Sequence, residues 1–302
     1  MSKLFTHVRS RRLQFGLALA ALVGGVLIAS LWWARPGIPA AQALTVTKVG
    51  CACPTTEGDP HDPAWALNFG SFGGVCIDNC KYRALKILAE HGASIEIANI
   101  LHGGEYWTTT VDPNEITGSE ILFQNFTSII NHVAMGFHLP HVVLKPQSGD
   151  PARRLDVPGL VISAEGVPPQ NQPYGLFDAL LGRYAMAYRI SSLDHYQNES
   201  AALGFPLKRY DTKLDARESR RLFELALEYS GRESFQSVYQ LLYNNCATTA
   251  IDLMAMARDP EHRRLLGLRE YIDLERGIPA TFEWGTLRRM KSEKLLGNES
   301  RY

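Results

Sequence analysis

The 302-residue chain has no net charge, because 31 lysines and arginines balance 31 aspartates and glutamates. That absence excludes nucleic-acid binding through the field of the whole molecule and leaves only local patches to attract phosphate or lipid headgroups. Cysteine is scarce, with 5 in the chain, so the sequence is not that of a dense disulfide scaffold. Repeats and low-complexity tracts are missing, which argues against solenoids and disordered arrays. Metal-ligand spacing is also missing: His138 and His141 are separated by Pro140 and have no acidic cluster at ligand spacing, so a surface turn is expected there, and neither metal nor cofactor. What remains is the composition of an ordinary globular protein, 45% hydrophobic and 21% charged, sufficient for one large domain or two small ones.

The N-terminus carries the topological signal. Lys3, Arg9, Arg11 and Arg12 precede an uncharged run from Leu13 to Trp33, long enough to cross a hydrocarbon core as a helix with the basic side inside. The reading is a cytoplasmic tail over 1–12, a transmembrane signal anchor over 13–33, a linker over 34–60 marked by Pro36, Pro39, Pro54, Gly58 and Pro60, and an extracytoplasmic domain over 61–302. This places a single-pass protein in the inner membrane with its C-terminal domain in the periplasm. A cleaved signal peptide is the rival, since Ala41 and Ala43 form a small-x-small site. In an oxidising compartment Cys51, Cys53, Cys76 and Cys80 are expected to form two disulfides of open connectivity, and zinc on the same four thiolates fits the Cys-x-Cys and Cys-x-x-x-Cys spacings less well. Cys246 is left as a free thiol.

Punctuation and periodicity predict a helix over Asp78 to His91 capped by Gly92, strands over Ser94 to Ile100 and Ile121 to Phe123, a strand-like run from Ser128 to Leu139, and further strands over His141 to Leu144 and Leu160 to Glu165. Helices are expected over Asp215 to Ser230, Ser234 to Tyr243 and Cys246 to Arg258. The fold class is α+β. In the run SIINHVAMGFHL, period two puts Val133, Met135, Phe137 and Leu139 on a packed face and His132, Ala134, Gly136 and His138 on the other, with small neighbours beside the His132 imidazole. In YNNCATTAIDLM, Asn245 as N-cap puts Cys246 in the first helical turn, where the unpaired N–H groups and the positive end of the dipole favour a thiolate. A small buried hydrophobe is the competing reading of that cysteine.

These pieces carry a resemblance. In order, IEIANI, VDPNEITGSEILF, FTSIINHVAMGFHL, VISAEG, YGLFDALLGRYAMAYRISS and NNCATTAIDLM, spanning about Ile95 to Leu253, resemble the Lnb-type N-terminal periplasmic domain family. That group is similar to circularly permuted papain-like thiol enzymes such as lecithin retinol acyltransferase, which present histidine first and cysteine late on a helix. The resemblance implies a permuted papain-like domain with a small antiparallel sheet packed on helices. It makes Cys246 the nucleophile, His132 its general base and Glu165 the group that orients the imidazole. The family pattern sets a basic residue just after the acid, as in Ser-x-Glu-x-Arg, whereas Gly166 and Val167 follow here.

A thiolate and an imidazole perform acyl transfer through a thioester. Held near the outer face of the inner membrane, such a site is expected to move an acyl chain from phospholipid to a lipoprotein amine, with membrane lipid and lipoprotein as partners and no nucleic acid. Two alternatives stay open: a cysteine hydrolase acting on peptidoglycan or envelope peptides, and a non-catalytic envelope scaffold. The scaffold predicts a buried, unreactive Cys246 with His132 elsewhere.

Overall fold

The computed structural model describes residues 81–126, 131–241, 244–259 and 283–300, together with short segments at 45–46, 65–68, 74–77, 272–273 and 278–279. Chain contacts separate Met1–Gln42 from Ala43–Tyr302, and everything described belongs to the second unit. The expected tail, anchor and most of the linker lie outside the described residues, as do Cys51, Cys53 and Cys80; Cys76 ends the short strand Gly74–Cys76. No helix among the described residues is long and apolar enough to cross a membrane.

Ten strands form one sheet: β1 Lys86–His91, β2 Ser94–His102, β3 Glu105–Val111, β4 Gly118–Asn125, β5 Asn131–Pro146, β6 Leu155–Val167, β7 Tyr184–Ser192, β8 Leu207–Thr212, β9 Val238–Tyr239 and β10 Leu296–Ser300. Among the described residues five α-helices accompany it: α1 Leu176–Leu180, α2 Leu193–Ala202, α3 Ala216–Glu233, α4 Cys246–Arg258 and α5 Glu283–Ser292. The mixed α+β class is therefore as read from the sequence, but the sheet is large. Strand β6 pairs with both β5 and β7, and β7 meets β2 in a short parallel contact, so β2, β3, β5, β6 and β7 close into a ring while the others extend it. Closure removes edges that an open sheet would leave unpaired.

Helices α3 and α4 lie on one face. Leu222, Phe223, Ala250, Ile251 and Met254 join Val133, Met135 and Phe137 in a single buried cluster, so the alternation predicted for β5 is the one observed. The opposite face is buried too. Leu193 and Tyr196 of α2 pack on Leu122, Ala134 and Val161, and a Cβ at Gly136 would meet the Glu120 side chain at 2.7 Å. The small residues after His132 thus admit Glu120 and α2 rather than leaving open space.

Three local expectations are corrected. Lys86–His91 is strand, not helix: Gly92, at φ +63°, makes the turn that pairs His91 with Ser94, and pairing with the long β2 overrides the local pattern. The expected helix over Ser234 to Tyr243 is absent across its described residues. Phe235 turns to φ +58°, its N–H donates to the Met186 carbonyl at 2.7 Å, and its buried ring holds the chain against the sheet so that Val238–Tyr239 pairs with β7. Pro140 does not break its strand. It sits where the β5–β6 register shifts between His138 and Val142, a bulge at which a missing N–H donor is tolerated.

Candidate active site

The last β5–β6 pair is Met135 with Ile162. Extending that register by three residues would set His132 opposite Glu165, but the ladder stops, and the N-terminus of α4 enters at the open end. Helix α4 begins there because Asn245 caps it in both directions. The Asn245 side chain accepts from the Ala247 and Thr248 N–H groups at 2.9 and 3.0 Å, while Thr248 Oγ1 accepts from the Asn245 N–H at 2.9 Å. The cap, predicted from sequence, puts Cys246 at the first helical position.

Cys246 is buried, with 6% of its surface exposed. Burial opposes its ionisation, but the charge of the His132 imidazole and a hydrogen bond from it, the Val133 N–H and the Tyr239 hydroxyl together hold its pKa below the ordinary thiol value. Burial likewise opposes charging of His132, yet the thiolate and the Glu165 carboxylate raise its pKa. Opposite shifts on adjacent groups favour a thiolate–imidazolium pair. Asn131 and Asn125, paired with one another next to the His132–Gln124 pair of β5 and β4, bury side-chain oxygens that have no hydrogen-bond partner.

Glu165 lies 3.9 Å from His132 Nε2, an ion-pair separation rather than a hydrogen bond, and that nitrogen has no hydrogen-bond partner. The carboxylate itself is held by Ser163 Oγ, which donates at 2.7 Å, and by Arg189 Nη1, which donates at 2.5 Å. Although burial pushes its pKa up, Arg189 and His132 bring it below the carboxylate norm. The cation that the family pattern would supply just after the acid comes instead from the neighbouring strand, where β7 pairs Arg189 with Ser163. The sequence signal for it is one charge inside the otherwise uncharged run YAMAYRISS.

A residue that sequence reasoning missed completes the site. The Tyr239 hydroxyl donates to the Cys246 sulfur at 3.9 Å. The phenol thus lies against the nucleophile's sulfur, next to the place where an attacked carbonyl would develop charge. Tyr174 in turn stands close enough to Tyr239 for the two phenols to act on one another electrostatically. Space for the ring comes from Gly166, where a Cβ would meet Tyr239 ring atoms at 3.0 Å. Gly166 thus admits Tyr239, while the position where the family pattern sets its basic residue holds the buried Val167. An antiparallel bridge between Gln240 and Asn244 brings the end of β9 and the start of α4 together.

His138 and His141 do not converge: His138 faces Glu120 at 3.7 Å and His141 faces Asp156 at 3.6 Å. A cavity of about 370 Å³ lined by Tyr210, Lys213, Lys291 and Glu299 lies along β8 and β10 and includes none of the site residues.

The Lnb N-terminal periplasmic domain family matches residues 104–287, more than half the chain, a span that contains His132, Glu165, Arg189, Tyr239 and Cys246. No curated protein and no solved structure matches.

Proposed function

The chain belongs to the Lnb N-terminal periplasmic domain family, and from that premise we propose that it is a membrane-anchored thiol acyltransferase of permuted papain-like design, which moves an acyl chain from phospholipid to the amine of a lipoprotein. The observation that carries the reading is the meeting of Cys246, on a capped helix start, with His132 at the open end of β5 and β6. The Cys246 thiolate attacks the lipid ester carbonyl. The tetrahedral oxyanion is met by the Cys246 N–H at the helix start and by the Tyr239 hydroxyl beside the sulfur. As the intermediate collapses, the C–O bond breaks and the His132 imidazolium gives its proton to the departing lysolipid oxygen, leaving a thioester. An amine then attacks the thioester carbonyl, His132 takes its proton, the C–S bond breaks, and the amide leaves with the thiolate–imidazolium pair restored. Glu165, fixed by Arg189 and Ser163, stabilises the imidazolium and orients its ring.

A scaffold reading does not call for a thiol paired with an imidazole and a phenol. Transfer and hydrolysis differ in the acceptor, so the test supplies one. The full chain is incubated with phosphatidylethanolamine and a peptide bearing an N-terminal S-diacylglyceryl cysteine. An N-acylated peptide that requires Cys246 is the expected product. Free fatty acid alone would replace transferase with hydrolase, and no turnover of any lipid would defeat the reading.

A further inference from the structure

Among the described residues, nine large apolar side chains are exposed, and five of them border this one site. On one side are Tyr174, 53% exposed, with Phe177, 71% exposed, and Leu181 on and after α1. This helix is fastened to the chain just before the nucleophile: Gln240 Nε2 donates to the Leu180 carbonyl at 2.6 Å and the Leu241 N–H to the Ala179 carbonyl at 3.3 Å. Tyr174 reaches inward to Tyr239. On the other side Phe126 stacks on the His132 ring, with centroids 6.1 Å apart and planes at 12°. Phe205 packs on Phe126 at 5.0 Å, and Leu203, 57% exposed, projects from the same turn after α2. Each lip is thus one side chain away from a member of the catalytic pair.

We infer that these two apolar lips dock into a lipid bilayer surface, so that the site between Tyr174 and Phe126 faces acyl esters at the interface. Exposed apolar surface concentrated around one site marks an interaction face, and aromatic rings favour the boundary between headgroup and hydrocarbon. The uncharged run ends at Trp33 and the large sheet begins at Lys86, about fifty residues later. Tethered at that length to an anchor, the domain meets the bilayer at high effective concentration, so a small apolar footprint is enough to hold it. The inference rests on the membrane-anchored reading above.

Tryptophan placed by Phe177→Trp, and by Val143→Trp as a control, tests it in the full chain reconstituted into phosphatidylcholine vesicles with brominated acyl chains. Val143 is also exposed but lies eleven residues along β5 from His132, roughly 35 Å away. The added emission at position 177 should be quenched about threefold or more beyond that at 143. In parallel, Phe177→Ser with Leu181→Ser should slow turnover of vesicle lipid while leaving alkylation of Cys246 by a small soluble reagent unchanged. Equal quenching at both positions, or none at 177, overturns the docking and assigns the lips to a protein partner. Quenching at 177 without any acyl adduct on Cys246 supports the docking and removes the acyl-transfer reading alone.

Discussion

At the scale of the residue, Cys246 is a buried thiol whose neighbours all favour its anion. If His132 lowers the thiol pKa, alkylation of Cys246 should rise at pH values below the ordinary thiol value of 9.0, and His132→Ala should move the rise upward because burial then acts with less opposition. The two rate curves should separate most near neutrality and converge in strong alkali. Coincident curves would show the imidazole to be a bystander. Tyr239→Phe removes a hydrogen bond to a charged sulfur, a loss on the order of tenfold in alkylation rate at pH 7, with the folded state intact by circular dichroism. An unchanged rate would make the phenol a packing group. Cys246 and His132 were legible in the sequence because a helix cap and a period-two strand are local patterns. Tyr239 was not, since its segment read as helix and the ring reaches the sulfur through a turn set by Phe235. Arg189 was visible only as a lone charge, because its partner Glu165 sits on another strand.

At the scale of the element, α4 holds the site. Asn245→Ala would free the Ala247 and Thr248 N–H groups and cost about 1 kcal/mol of stability, measurable as a lower midpoint in urea. A fall in alkylation rate should accompany it, as the first turn frays around Cys246; a stability loss with no change in reactivity would separate the cap from the chemistry. Elements with their own punctuation were read well from sequence: α3 has its Asp215 capping box and α4 its Asn245 cap. Those misread share a cause. Lys86–His91 and Val238–Tyr239 take their form from partners distant in sequence, Ser94–His102 for the first and Tyr184–Ala185 for the second, and a window along the chain does not contain such pairing.

At the scale of the whole molecule, the α+β class was legible but the ring of strands was not, because closure depends on β6 pairing on both sides and on a short parallel contact between β7 and β2. That ring and the helices behind it bring together residues from positions 132 to 246 at the end where β5 and β6 part. The central claim is that this arrangement makes Cys246 an acyl carrier. The direct measurement is the intact mass of the full chain, wild type and Cys246→Ala, after brief exposure to phospholipid, with neutral hydroxylamine as control. A fatty-acyl mass addition that requires Cys246 and is removed by hydroxylamine is the predicted result. The absence of any adduct, with a thiol that also resists alkylation in the folded protein, would contradict the account.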